Sequence, residues 1–170
     1  MKHHAQAGSR FLPFCVLLAA ALVAAAGLAC SRSAYDLLAD ARQGLSEAAY
    51  DDAIAAADEG LAAGPDEKTE WALEMVKLEA LARGGYGDLA TSQLSTLENS
   101  YPARIPVTQY AATSGQLRAA GKSPEAIQIL DYGLQRFPGD PMLTRLLGLG
   151  DKEGMGSAEL DMLRSLGYVE

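Results

Sequence analysis

Carboxylates are the reactive groups this chain has in quantity. Asp51–Asp52, Asp58–Glu59, Asp66–Glu67 and Glu70 with Glu74 stand side by side or one helical turn apart. Two carboxyls facing one cleft about 5 to 9 Å apart could hydrolyse a glycoside. These pairs instead fall at the starts or on the polar sides of helical stretches, where dipole compensation or plain solvation accounts for them. Acid–base catalysis needs a positioned group of tuned pKa, and the sequence offers none. His3, His4, Cys15 and Cys30 all lie in the first 30 residues, so the rest of the chain lacks imidazoles and thiols. Those groups are the usual bases, nucleophiles and zinc ligands. The glycine-rich "GLGDKEGMGS" (148–157) lacks the Gly-Lys-Ser/Thr ending of a phosphate loop and follows no strand. Asp151 and Glu153 give too few oxygens for a calcium loop, and the stretch reads as a flexible linker. No catalytic residue, metal or cofactor is expected, and the chain is not read as an enzyme.

The elements around these residues are helical. In "AGKSPEAIQILDYGLQRFPGD", Ser123 can cap a helix and Pro124 suits its first position. Ile127, Leu130, Leu134 and Phe137 then recur every three or four residues, and Pro138–Gly139 stop the run. Upstream, a helical stretch over 107–119 ends at Gly121. The same outline occurs twice more. Ala53, Ala90 and Ala126 each precede a proline (Pro65, Pro102, Pro138) by 12 residues, and are themselves spaced by 37 and 36. A helical pair recurring with a period in the thirties marks a repeat array. No alternating strand pattern competes, so the fold class is all-α.

On these residues the chain resembles the tetratricopeptide repeat family. That family has a small residue early in the second helix, a proline twelve later, and often Gly at the turn between helices. Gly85 and Gly121 match the turn, and Ala48 stands there in the first unit. Tyr50, Ala53, Leu61 and Pro65 make "AYDDAIAAADEGLAAGPDE" the best match. Gly87 departs from it, where the family usually has an aromatic. The resemblance implies antiparallel helix hairpins stacked as an α-solenoid, about three repeats plus a C-terminal capping helix. The small residues allow close approach within a hairpin, while Leu61, Leu94, Leu97, Leu130 and Leu134 fill the space between hairpins. The periods exceed the family's usual 34, so the turns between units carry two or three extra residues.

The N-terminus is a separate object. Lys2 and Arg10 precede "FLPFCVLLAAALVAAAGLAC" (11–30), which is apolar and uncharged. Its ending resembles the cleavage box of bacterial lipoproteins, which implies that Cys30 becomes the lipidated first residue. An uncleaved membrane helix is the alternative, since about 20 apolar residues can span a bilayer. Cleavage would remove both histidines and Cys15, and would take the net charge from −8 to −10. That charge argues against nucleic acid and against adhesion to anionic headgroups. Membrane contact would come through the acyl chains, at about 0.8 kcal/mol per buried methylene. By resemblance to enteric lipoproteins, Ser31 rather than Asp after the Cys implies the outer membrane, facing the periplasm. The expected organisation is a signal peptide over 1–29, a lipidated tether over 30–33, repeats over 34–149, a linker over 150–156 and a helix over 157–170.

In that last helix Ser157 is the expected cap, Leu160, Leu163 and Leu166 the apolar face and Gly167 the stop. Its closing "LRSLGYVE" is similar to a segment ending many sulfatase-type domains. The helix either caps the array or docks into the array's own groove.

Family partners lie along the first helices. The resemblance implies groove positions at Tyr35, Leu38, Arg42 and Leu45, then Ala72, Met75, Glu79 and Ala82, then Thr108, Ala111, Gly115 and Arg118. Met75 adapts to varied partners, and Arg42 and Arg118 can pair carboxylates. Leu38 and Leu45 serve equally well as packing residues, the two arginines as solvated charges. Trp71 and Tyr110 read as packing between hairpins. The expected function is binding a protein or peptide partner as an envelope scaffold or assembly factor. The alternative is an accessory subunit that binds a small ligand or glycan for an envelope enzyme.

Overall fold

In the computed structural model, residues 32–148 and 156–169 are described, and they hold eight helices and no strand. In chain order these are α1 (Ala34–Ser46), α2 (Tyr50–Ala62), α3 (Glu67–Arg83), α4 (Gly87–Ser100), α5 (Val107–Ala119), α6 (Ser123–Arg136), α7 (Pro141–Gly148) and α8 (Ser157–Ser165). The expected signal peptide and Cys30 lie outside the described residues, as does the expected linker up to residue 155. Among the described residues no helix is long and apolar enough to cross a membrane.

Local chemistry sets the helix starts. Ser33 accepts the Asp36 N–H at 3.1 Å to open α1, and Asp66 accepts those of Lys68 and Thr69 at 3.0 Å to open α3. Asp140 does the same for α7 with Met142 and Leu143. Each satisfies N–H groups that a first turn leaves orphaned. The expected caps at Ser123 and Ser157 are corrected, because both residues are already inside their helices. Lys122 holds the cap position of α6 without a side-chain bond. At α8 the Gly156 N–H donates to the Glu159 carboxylate at 3.0 Å.

Three turns share one closure. Ala49, Tyr86 and Lys122 donate backbone N–H to Gly44, Leu81 and Leu117 at 2.8, 2.9 and 2.8 Å. The residue before each donor is left-handed: Ala48 at φ 58°, Gly85 at 77° and Gly121 at 76°. This six-to-one bond over a left-handed residue turns α1 into α2, α3 into α4 and α5 into α6.

Packing follows chain order. Each of α1 to α3 contacts the next helix, α5 contacts α6, and α6 contacts α7. Next-but-one contacts join α1 to α3, α3 to α5, α4 to α6, α5 to α7 and α6 to α8. All eight helices lie in one unit, Ser33–Glu170. Ala53, Ala90 and Ala126 are fully buried, as are Tyr110, Leu130 and Leu143. Leu94 and Leu97 are buried too, whereas Leu61 and Leu134 are half-buried.

Candidate functional site

The face shared by α1, α3 and α5 carries two open depressions. One, of about 430 Å³, is walled by Arg42 from α1, Trp71, Met75 and Glu79 from α3, and Gln109 and Gln116 from α5, with Ala72, Val76 and Ala112 between. The other, of about 420 Å³, lies between Glu79 and Arg83 of α3, Gln116 and Ala119 of α5, and Tyr50 at the start of α2. Glu79 and Gln116 line both, so the two form one groove.

Its polar groups are unequally satisfied. The Glu79 carboxylate accepts from Arg83 Nη1 at 3.1 Å, and the Arg83 guanidinium lies 5.5 Å from the centre of the Tyr50 ring. That hydrogen bond to Glu79 holds Arg83 charged more firmly than an ordinary arginine. Arg42 is exposed and, among the described residues, has no ion-pair partner. The Gln116 Oε1 is buried with no hydrogen-bond partner among them.

Of the positions implied by the family resemblance, the structure brings Arg42, Ala72, Met75 and Glu79 together. Tyr35 stands 73% exposed and lines neither depression. Leu38, Leu45 and Ala82 are buried in the helix contacts and offer no surface, which corrects their place in the groove. On α5 the face is turned by one residue. Gln109, Ala112 and Gln116 line the groove, where Thr108, Ala111, Gly115 and Arg118 were expected. Ala111 packs against the core, and Arg118 Nη2 donates to the Leu146 carbonyl at 3.3 Å, tying α5 to α7. The 3-and-4 spacing of Gln109, Ala112 and Gln116 is itself a helix-face signal that could have found them.

Most of the carboxylates singled out above have structural partners. Asp51 accepts from the Tyr86 hydroxyl, Glu74 from Gln93, and Glu70 from the Tyr101 hydroxyl at 2.9 Å. Asp58 pairs with Lys77 at 2.6 Å and Glu67 with Arg104. Asp66 is held below the usual carboxylate range chiefly by the Thr69 N–H it accepts as helix cap. Among the described residues no cluster of His, Cys, Asp and Glu could hold a metal ion.

Comparison with protein-family models, with curated proteins and with solved structures finds no match to this chain.

Proposed function

We propose that the chain is a tetratricopeptide-like lipoprotein of a bacterial envelope that binds a protein or peptide in the groove of α1, α3 and α5. Lipid on Cys30 would hold it to a membrane, the outer one facing the periplasm, where it serves as a scaffold or assembly factor. The observation that carries this reading is repetition. The left-handed turn residues Ala48, Gly85 and Gly121 are spaced by 37 and 36, the same as the buried alanines. Each hairpin packs on its neighbours in the chain, as stacked repeats do. The groove is open and shared by three helices, a shape that suits a chain better than a small molecule, which needs enclosure.

The test is a cross-linking pull-down from native membranes with wild type beside Met75→Glu/Arg42→Glu. A partner captured by wild type and lost by the variant is expected. The same partners with both would send the contact to another face. Intact mass of the membrane-extracted protein tests the anchor. Loss of residues 1–29 and gain of acyl mass on Cys30 is expected, and a full-length unmodified chain would leave the membrane-helix alternative.

A further inference from the structure

We propose that the corner formed by Tyr35 and the end of α2 rests on the surface of the membrane that holds Cys30, with the Tyr35 ring seated among the lipid headgroups. The inference rests on the anchor proposed above and adds how the array stands on it.

Reach fixes the place. Ser33 caps α1 by accepting the Asp36 N–H, so the folded array begins with the third residue after Cys30. Three peptide steps span at most about 11 Å. With its acyl chains in hydrocarbon, Cys30 would lie at the headgroup layer, about 5–8 Å deep on each side of the bilayer. A tether this short keeps the start of α1 beside that layer, whichever way the rest of the array leans.

Side-chain chemistry suits that place. Tyr35, in the first turn of α1, is 73% exposed, more than any other large apolar side chain among the described residues, and it lines neither depression of the groove. The end of α2 lies beside it. A Cβ on Gly60 would stand 3.3 Å from that of Leu37, and one turn further along the antiparallel pair brings Ala63 and Gly64 beside Ser33. Ala62, Ala63 and Gly64 are exposed, and no charged residue falls between Gly60 and Pro65. The first-turn carboxylate, Asp36, is turned back onto the cap and accepts the Ser33 hydroxyl at 2.7 Å. A tyrosine suits the headgroup layer because its ring is apolar while its hydroxyl stays wet. Contact through one ring and small uncharged residues needs no anionic lipid, as befits a chain whose net charge is −8.

The test uses the membrane-extracted chain in phosphatidylcholine vesicles, with a nitroxide on an introduced thiol. Once Cys15 has left with the signal peptide and Cys30 is acylated, that thiol is the only one. Ala63→Cys reports on the corner from a position far from the anchor in sequence. Leu89→Cys reports on the opposite edge, where Tyr86 before α4 bonds Asp51 at the start of α2. Intact mass is read first, and a chain without acyl mass on Cys30 overturns the anchor and this inference together. With acyl mass present, the Ala63→Cys label should be shielded from a water-soluble nickel chelate and open to oxygen, and the Leu89→Cys label the reverse. Tyr35→Ser should lose that shielding while the chain stays on the vesicles, and Tyr35→Trp should keep it, which separates lost seating from lost fold. A corner label as exposed as the Leu89→Cys label, one that Tyr35→Ser leaves shielded, or one that Tyr35→Trp exposes overturns the inference while the anchor stands.

Discussion

At the scale of single residues, Ala48 does a glycine's work. It holds φ 58° in a turn whose counterparts are Gly85 and Gly121. A left-handed alanine costs about 1–2 kcal/mol, and glycine returns about 0.4–1 kcal/mol of that as unfolded-state entropy. Ala48→Gly should therefore stabilise the fold by about 0.5–1 kcal/mol, read as a raised urea midpoint. Tyr110 makes the second case. It is fully buried, its ring edge-on to Phe137 at 5.9 Å, and its hydroxyl has no hydrogen-bond partner among the described residues. Burial first, and then the neighbouring Glu98 carboxylate, hold its phenol protonated well above the ordinary tyrosine range. Tyr168 is pushed up to about 12 by burial and by its bond to Asp131. A raised pKa means that the unfolded chain gives up its proton first, so stability is intact below about pH 10 and falls above it. Tyr110→Phe should flatten that alkaline loss in urea titrations between about pH 9 and 12 and leave stability at neutral pH equal or higher. A slope identical to wild type would remove Tyr110 as a source. Gly85 and Gly121 made the turns legible in the sequence, whereas the unpaired Oε1 of Gln116 has no sequence signal because it arises from contacts across helices.

Among the elements, legibility follows the clarity of the apolar stripe. The bounds of α5, Val107–Ala119, coincide with the helical run read from sequence. Its rotation does not, because Thr113 and Ser114 share the buried face with Tyr110 and Leu117. With polar residues buried, no apolar stripe marks the inner side, and the implied groove positions fall one residue off. The long connection after α4 was legible only as extra length. Its anchor is Arg104, whose guanidinium lies 5.6 and 5.5 Å from the ring centres of Trp71 and Tyr101 and pairs with Glu67. The C-terminal helix was readable as apolar on one side, and the structure decides where it docks. α8 contacts α6, burying Leu163, with Tyr168 donating to Asp131 at 2.8 Å; it contacts no groove helix appreciably. Docking of the tail in the groove is thereby corrected. Truncation after Gly156 should lower stability by about 1–3 kcal/mol, the burial of one leucine and its half-buried neighbours less the ordering cost. Affinity for a groove ligand should stay unchanged. A truncated chain that bound more tightly would show the tail competing after all.

Across the whole molecule, the core is divided unevenly, and α3 belongs to both parts. Leu73, Val76 and Ala80 join the cluster around α1 and α2, while Leu78, Leu81 and Ala82 join the larger one that runs on to α8. The first cluster is poor in bulk, since Ala41, Ala53, Ala57 and Ala80 are half of its eight buried residues. α2 buries only Ala53, Ala57 and Gly60, whereas α6 buries Ile127, Ile129 and Leu130 as well as Ala126. Hydrophobic stabilisation scales with apolar area removed from water, and in an array of neighbour contacts each end depends on its own interface. The N-terminal hairpin should therefore open at lower free energy than the α5–α6 hairpin, and its amides should exchange with deuterium first. Equal protection in α2 and α6 would mean a single cooperative unit and would sink this division. The consequence reaches the groove, because α1 supplies Arg42 to its wall. A ligand that binds only the closed array adds its binding free energy to the hairpin's stability. A groove ligand held against Arg42 should accordingly slow exchange in α1 and α2 more than in α6, and a uniform slowing would place the contact elsewhere on the fold.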